Sequence, residues 1–198
     1  MSADATLPSV TLSARQVYTF EEYVDLDAES RVKHEFLDGF VWAMASGSPE
    51  HAGVAAAIGA ALSAELRGRP CRVFSSDLRV RVRATGLTTY PDATVVCGKL
   101  ELDPADKNAQ TVVNPRVVVE VLSPSTEVYD RGEKLAHYKR IESLEDIVLV
   151  AHDQHQVEVW HREGDVWSLA LARDGGAVKL TSIDCTLAVV EVYANPLA

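Results

Sequence analysis

The chain of 198 residues is long enough for one domain with a substantial core, and its 47% hydrophobic and 24% charged residues exclude a disordered chain. Its 19 basic and 29 acidic residues give a net charge of −10, which argues against a protein that coats nucleic acid but allows an enzyme that binds it through a local patch. No apolar run approaches the ~18 residues of a membrane span, and the N-terminus lacks signal-peptide features, so we expect a cytoplasmic location.

The N-terminal part of the chain divides into a tail and the start of one domain. Residues 1–17 predict a flexible tail, and 18–198 predict a single domain without an internal linker. Thr19 and Glu22 have the spacing of a capping box, which predicts a short helix to about Asp27.

A hairpin and a long helix are predicted next. The segment 33–44 predicts two strands joined by a turn at Asp38-Gly39, because these two residues accept positive φ. Ser48 and Pro49 are typical of a helix start. The Ala-rich helix that follows ends near Gly68 and is apolar enough to predict burial on more than one side.

The rest of the chain is rich in strand patterns. Residues 100–114 predict a loop, 126–141 a loop leading into a helix, and 180–198 a strand followed by a short amphipathic helix. The segment 116–122 is almost continuously apolar, which is typical of a central buried strand. The predicted fold is a mixed α/β sheet with helices packed on it. The predicted strands are 71–76, 78–84, 92–97, 116–122, 147–153, 156–163 and 166–174.

The cysteines do not suggest a disulfide framework. Cys71, Cys97 and Cys185 are odd in number and far apart in sequence, with no CxxC pair. We expect them to be small buried side chains.

Two acids lie where the chain should be most apolar. Asp92 begins one predicted strand and Glu120 lies inside another, on the face shared by Val118 and Leu122. A buried carboxylate is costly unless a cation pairs with it. If the two strands are neighbours, the carboxylates converge and suit Mg²⁺ or Mn²⁺.

Lys134 is the predicted third member of this site. It lies 14 residues after Glu120 on the following helix, from which its ammonium could return over the strand end to orient water or stabilise phosphate charge. Tyr138 lies one turn later on the same face. Separately, each residue has a simpler explanation: Asp92 as a turn residue, Glu120 in a buried ion pair, and Lys134 in a surface pair with Asp130.

At these residues the sequence resembles the Uma2 family of endonucleases, a branch of the PD-(D/E)XK nuclease superfamily. The resemblance covers about 18–195, and EVLSPST followed by DRGEK and a tyrosine is its most specific part. The matching segments are HEFLDGFVWAMASGSPEH (34–51), RGRPCRVFSSDLRVRV (67–82), YPDATVVCG (90–98), the segment 117–150 and the segment 157–167.

The resemblance implies a restriction-endonuclease-like core, a divalent metal and phosphodiester hydrolysis. Asp92 matches the acid of the PD element and Glu120 that of the (D/E)XK element. Leu122 stands where the superfamily has its lysine, and Lys134 looks like the lysine that has migrated. Glu35 resembles an acid that an early element supplies in many of these nucleases; the alternative is that Glu35 is a solvated residue of the hairpin.

Several weaker candidates lie in the matching segments. Asp77 could join the acidic site or cap the turn before the next strand, and His51 could touch a phosphate or satisfy its helix start. Alternation places Arg79, Arg81 and Arg83 on one strand face, where they could contact DNA phosphates or form a solvated edge.

The predicted function is metal-dependent DNA cleavage by Asp92, Glu120 and Lys134, with Glu35 assisting. A non-catalytic interaction module on a nuclease fold and a hydrolase of a small phosphodiester are the alternatives, because a charge of −10 repels long DNA. A homodimer is also expected, since double-strand cleavage uses two sites related by a two-fold axis.

Overall fold

The computed structural model describes residues 17–45 and 47–195. The predicted tail at 1–17 therefore lies outside the described residues except for Val17. Among the described helices, none combines the length and apolar character needed to cross a membrane. A π-helical segment (Asp130–Lys134) joins the third and fourth helices, and a 3₁₀ turn spans Thr181–Ile183. The helices are α1 (Phe20–Glu29), α2 (Pro49–Glu65), α3 (Glu127–Tyr129), α4 (Leu135–Tyr138) and α5 (Val189–Val192).

The strands form two larger sheets and a two-stranded ribbon. They are β1 (His34–Leu37), β2 (Phe40–Ala43), β3 (Cys71–Ser75), β4 (Arg79–Arg81), β5 (Thr88–Thr89), β6 (Ala93–Cys97), β7 (Thr111–Val112), β8 (Val117–Val121), β9 (Asp146–Val150), β10 (Gln156–Glu163), β11 (Val166–Arg173), β12 (Ala177–Leu180) and β13 (Cys185–Ala188). The six-stranded sheet has the order β11-β10-β9-β8-β6-β3, the five-stranded sheet has the order β2-β1-β5-β4-β7, and β12 and β13 form the ribbon. Both larger sheets are mixed: the β8–β9 and β4–β7 pairs are parallel and the other pairs are antiparallel. The predicted mixed α/β fold is thus confirmed.

The local signals at the start of the domain are confirmed. The Glu22 N–H donates to Thr19 Oγ1 at 3.2 Å, and Glu22 Oε2 accepts from the Thr19 N–H at 2.8 Å, which completes the capping box of α1. Asp38 and Gly39 turn the β1–β2 hairpin with φ values of 50° and 83°. These backbone values are the ones a two-residue hairpin turn requires.

The β8 strand occupies the centre of the six-stranded sheet, as predicted. Its odd-numbered valines 117, 119 and 121 face a core formed with α2, α5 and the β12–β13 ribbon. Val118 and Leu122 face a second core beneath β4, β7 and α4. Glu120 belongs to this second face by alternation, so its carboxylate lies between the two sheets.

The long helix differs from its prediction. It starts with Ser48 as N-cap and Pro49 at the first turn, but only one stripe is buried: Val54, Ile58 and Leu62. Alanines on the other faces, including Ala52 and Ala56, are exposed. Burial on more than one side was wrong because alanine favours helix strongly and costs little when exposed.

Two predictions that depended on long-range pairing were also wrong. Cys71 and Cys97 form a disulfide, because the antiparallel β3–β6 register places them directly opposite each other. Cys185 is free and buried, as expected. The predicted loop at 100–114 contains β7, which pairs with β4.

Candidate active site

Asp92 and Glu120 meet at the end of the β6–β8 ladder. Ala93 pairs with Val119 in antiparallel register, so the next step along the ladder places Asp92 opposite Glu120 on one face. Asp92 Oδ2 also accepts the Val121 N–H at 2.7 Å, which fixes the carboxylate at the strand end. The predicted convergence of the two acids is therefore present.

Lys134 lies over this pair. Its Nζ is 3.0 Å from Glu120 Oε1 and 2.9 Å from Glu35 Oε1, and all three residues are buried. Asp130 Oδ1 is 3.6 Å from the same ammonium. The π-helical segment that contains Asp130 and Lys134 thus connects acids from two different sheets.

Neighbouring donors hold the two glutamates. The Trp42 Nε1–H donates to Glu35 Oε2 at 3.1 Å, and the Thr89 hydroxyl donates to Glu35 Oε1. The Tyr138 hydroxyl donates to Glu120 Oε1 at 2.5 Å. The weaker candidate Tyr138 therefore belongs to the site through Glu120.

Burial and charge set the protonation of the cluster. Burial, together with Asp92 and Asp130, raises the pKa of Glu120 to about 8 against the lowering effects of Lys134 and Tyr138. Burial alone would lower the pKa of Lys134, but Glu120, Glu35 and Asp130 hold it well above its ordinary value. Lys134 therefore stays protonated at neutral pH, whereas Glu120 can carry a proton.

His51 stands at the mouth of the cluster. Its Nε2 is 3.3 Å from Asp92 Oδ2, and the hydrogen bond to Asp92 raises the pKa of His51 although burial opposes the shift. His51 lies in the first turn of α2, where its N–H donates to Ser48 Oγ at 3.2 Å. A cleft of about 570 Å³ opens over Glu35, His51, Asp92, Glu120 and Lys134.

Asp77 does not join this cluster. It is exposed and pairs with Lys33, whose Nζ is 2.7 Å from Asp77 Oδ1. The Asp77 N–H donates to Ser75 Oγ at 3.3 Å, so Asp77 stabilises the turn before β4. Of the two roles considered for Asp77, capping the turn before the next strand fits its position, whereas membership of the acidic site does not.

The three arginines of β4 have different environments. Arg79 is 1% exposed, donates from Nε to the Tyr90 hydroxyl at 3.0 Å, and lies 3.6 Å from Asp27. The prediction that Arg79 contacts DNA phosphates is therefore wrong, because its side chain is buried. Arg81 stacks over the Phe20 ring at 3.6 Å. Arg83 remains 55% exposed.

Sequence reasoning missed three members of the site. Asp130 enters the sequence prediction only in the alternative that pairs it with Lys134 at the surface, but both side chains are buried. The i, i+4 spacing of Asp130 and Lys134 indicated that they are in contact, but it did not indicate that the contact is buried. Thr89 had no recognisable signal, since it reaches Glu35 only through the pairing of β1 with β5. Trp42 did have one, because the two-residue turn at Asp38-Gly39 sets Trp42 opposite Glu35 in the predicted hairpin.

The donor set suits a small divalent cation. Asp92 Oδ1 and Glu120 Oε2 accept no hydrogen bond from any described residue, so each carboxylate keeps one oxygen for a ligand. Within the part of the chain that the structure describes, no three His, Cys, Asp or Glu residues form a ready-made metal cage. Two carboxylates completed by water and phosphate are a usual Mg²⁺ arrangement, so the residues fit this metal.

The mixed sheets with helices packed on them form a fold of the restriction-endonuclease-like class. A crystal structure described as a putative nuclease of DUF820 from Anabaena variabilis ATCC 29413 has the same fold, with a TM-score of 0.69 over 87% of this chain and 96% of that one at 16% identity. The model of the Uma2 family, described as "Putative restriction endonuclease", matches residues 20–188. The chain belongs to the Uma2 family.

Two Synechocystis proteins are similar over most of their length. The protein slr1290 of strain PCC 6803 is 35% identical over 175 residues, which cover 87% of this chain and 90% of that protein. The protein sll1609 is 26% identical over 156 residues, covering 79% and 87% respectively. Both carry the description "Uncharacterized protein".

Proposed function

We propose that this protein is a metal-dependent endonuclease that hydrolyses phosphodiester bonds in DNA. One observation carries the proposal: Asp92, Glu120 and Lys134 converge in an open cleft of a nuclease-like fold. The protonated Lys134 ammonium, beside two carboxylates with unused oxygens, is suited to the negative charge of a phosphodiester.

Mg²⁺, or Mn²⁺ in its place, is the proposed cofactor. Asp92 and Glu120 would hold it through the oxygens that accept no hydrogen bond from the described residues. When bound, the ion supplies Lewis acidity toward the scissile phosphate. The proton that Glu120 keeps near neutral pH must leave before this carboxylate can serve as a ligand.

The remaining roles follow from protonation and position. Lys134 stays protonated, so its ammonium orients water and stabilises phosphate charge rather than accepting a proton. Glu35 is fixed by Trp42 and Thr89 and bonds Lys134, which makes Glu35 a positioning residue. The hydrogen bond to Asp92 raises the pKa of His51 and so favours its protonated form, which is suited to contact a phosphate.

Cleavage of supercoiled plasmid tests the proposal. With Mg²⁺ or Mn²⁺ we expect nicking that EDTA abolishes. Asp92→Asn, Glu120→Gln and Lys134→Met should each lower the rate by about 100-fold or more, the usual scale for losing a group that stabilises developing charge. Asp77→Asn is the matched control, because Asp77 is an exposed acid outside the cluster, and it should retain activity.

Nicking that survives EDTA, or that is equal in Asp92→Asn and the unmodified protein, would rule out this assignment. Folding of each variant is checked by circular dichroism. Calorimetry with Mg²⁺ alone distinguishes the proposed nuclease from an inactive interaction module. The module would show no Mg²⁺ binding that depends on Asp92.

A small phosphodiester is the second candidate substrate. The net charge of −10 and the burial of Arg79 both reduce the cationic surface available to long DNA. A chromogenic phosphodiester that is hydrolysed by the unmodified protein, without any plasmid nicking, would favour it. A plasmid-nicking rate higher than the rate of hydrolysis of the chromogenic substrate would favour DNA. Arg81 and Arg83 would then be the remaining arginines of this set to test for phosphate contacts.

A further inference from the structure

The outer strand of the six-stranded sheet has the features of a pairing surface. No strand among residues 17–45 and 47–195 pairs with the outer edge of β11, which is eight residues long. The strand contains no proline, glycine or charged residue before Arg173. Val166, Leu169 and Leu171 are 67%, 48% and 47% exposed. Monomers usually protect such an edge with charges, proline or a bulge.

The hydrogen-bonding direction of β11 follows from its hairpin with β10. Two residues, Gly164 and Asp165, connect the strands, so the flanking pair Glu163–Val166 is hydrogen-bonded. Alternation then turns the N–H and C=O of even-numbered β11 residues toward β10. The Asp174 N–H, which donates to the His155 carbonyl at 3.1 Å, follows the same alternation.

The main-chain groups of Trp167, Leu169 and Leu171 therefore point outward along the free edge. The exposed side chains of Leu169 and Leu171 lie on the same face as Trp167. A second β-strand can thus add here with apolar side chains already aligned.

We propose that two copies of this protein form a two-fold symmetric dimer through the outer edge of β11. Antiparallel pairing about Leu169 sets Leu169 against Leu169 of the partner subunit, and Trp167 against the partner's Leu171. Each of these positions turns its main-chain groups outward, so facing residues can exchange both hydrogen bonds. The two six-stranded sheets become one continuous sheet. This inference goes beyond the proposed function and does not depend on it.

Charge complementarity supports a second copy as the occupant. The register that centres on Leu169 places Asp165 opposite Arg173 of the partner subunit, and the two-fold axis repeats this pair at the other end. The Arg173 Nε donates to Gln156 Oε1 at 2.7 Å, which holds the guanidinium beside the strand. These two opposite-charge pairs lie where two chains of net charge −10 must approach each other.

Analytical ultracentrifugation of the full chain over a concentration series tests the dimer. We expect a mass twice the 21.5 kDa of the chain. Leu169→Lys places two ammonium groups opposite each other at the axis and removes an apolar contact from each copy. Its dimer dissociation constant should rise by about 100-fold or more. Val190→Lys is the matched control, because Val190 is a 65% exposed valine on α5.

A monomer at all concentrations, or equal dimerisation of Leu169→Lys and Val190→Lys, would overturn the proposal.

A charge exchange between Asp165 and Arg173 tests the register separately. Asp165→Lys alone should weaken the dimer, and adding Arg173→Asp should restore it, since each position again faces an opposite charge. Absence of recovery in the double variant, with folding verified by circular dichroism, would contradict the proposed pairing.

Discussion

The buried cluster contains more negative than positive groups. Lys134 is the shared partner of Glu35, Glu120 and Asp130, and Asp92 faces Glu120 across the ladder. One ammonium cannot neutralise all of these carboxylates. Glu120 responds by holding a proton, with its pKa raised to about 8 by burial and its acidic neighbours. A divalent cation would take the place of that proton.

This protonation predicts how stability depends on pH. Between roughly pH 5 and 8 the folded state keeps a proton on Glu120 that the unfolded chain has released, so the free energy of unfolding of the metal-free protein falls as pH rises. Glu120→Gln should flatten this slope. Urea denaturation in EDTA across that pH range measures it.

Glu133→Gln is the control for this pH experiment, because Glu133 is exposed on the same π-helical segment. It should retain the slope of the unmodified protein. An unchanged slope in Glu120→Gln would show that another group governs it.

At the level of elements, the π-helical segment aligns the site. In an uninterrupted α-helix, residues eight apart such as Asp130 and Tyr138 are rotated from each other by about 80°. The wider π-helical turn absorbs part of that rotation, so Asp130, Lys134 and Tyr138 face the same carboxylates. Such π-helical turns occur often at functional sites.

Gly132 lies in the middle of this segment and tests whether the turn needs glycine. A Cβ built there meets no atom within 4 Å, and its φ is not positive. Gly132→Ala should therefore raise the free energy of unfolding by about 0.5–1 kcal/mol, the usual gain in a helix. Gly53→Ala in α2, which is equally unobstructed, is the control. Destabilisation by Gly132→Ala alone would show that the π-helical backbone selects glycine.

The whole molecule places its site between two sheets. Glu35 comes from the five-stranded sheet, whereas Asp92 and Glu120 come from the end of the β6–β8 pair in the six-stranded sheet. Asp27 and Arg79, buried behind the site, tie α1 to β4. The proposed β11 dimer would add a second copy of this whole arrangement.

The proposed dimer and the proposed nuclease activity together predict a product ratio. Two linked sites make the second cut effectively intramolecular, so the dimer should convert nicked plasmid to linear plasmid efficiently. In Leu169→Lys we expect the ratio of linear to nicked product to fall roughly tenfold, while the nicking rate per chain is retained. Agarose gels of a time course measure both, with Val190→Lys as control. An unchanged ratio in a monomeric variant would show that each site acts alone.

Much of the fold could be predicted because its signals are local. The capping box at Thr19, the Asp38-Gly39 turn and the alternation around Glu120 each depend on residues close in sequence. The convergence of Asp92 and Glu120 could be anticipated because two polar residues in apolar strands require a common partner. The approach of Lys134 followed from its place on the next helix.

Tertiary pairing determined the remainder. The Cys71–Cys97 disulfide, the burial of Arg79 and the contacts of Glu35 with Thr89 and Lys134 all join elements that are distant in sequence. Residue type and spacing cannot specify such contacts, because strand order and register decide which distant residues face each other, and burial then decides which of them carry charge.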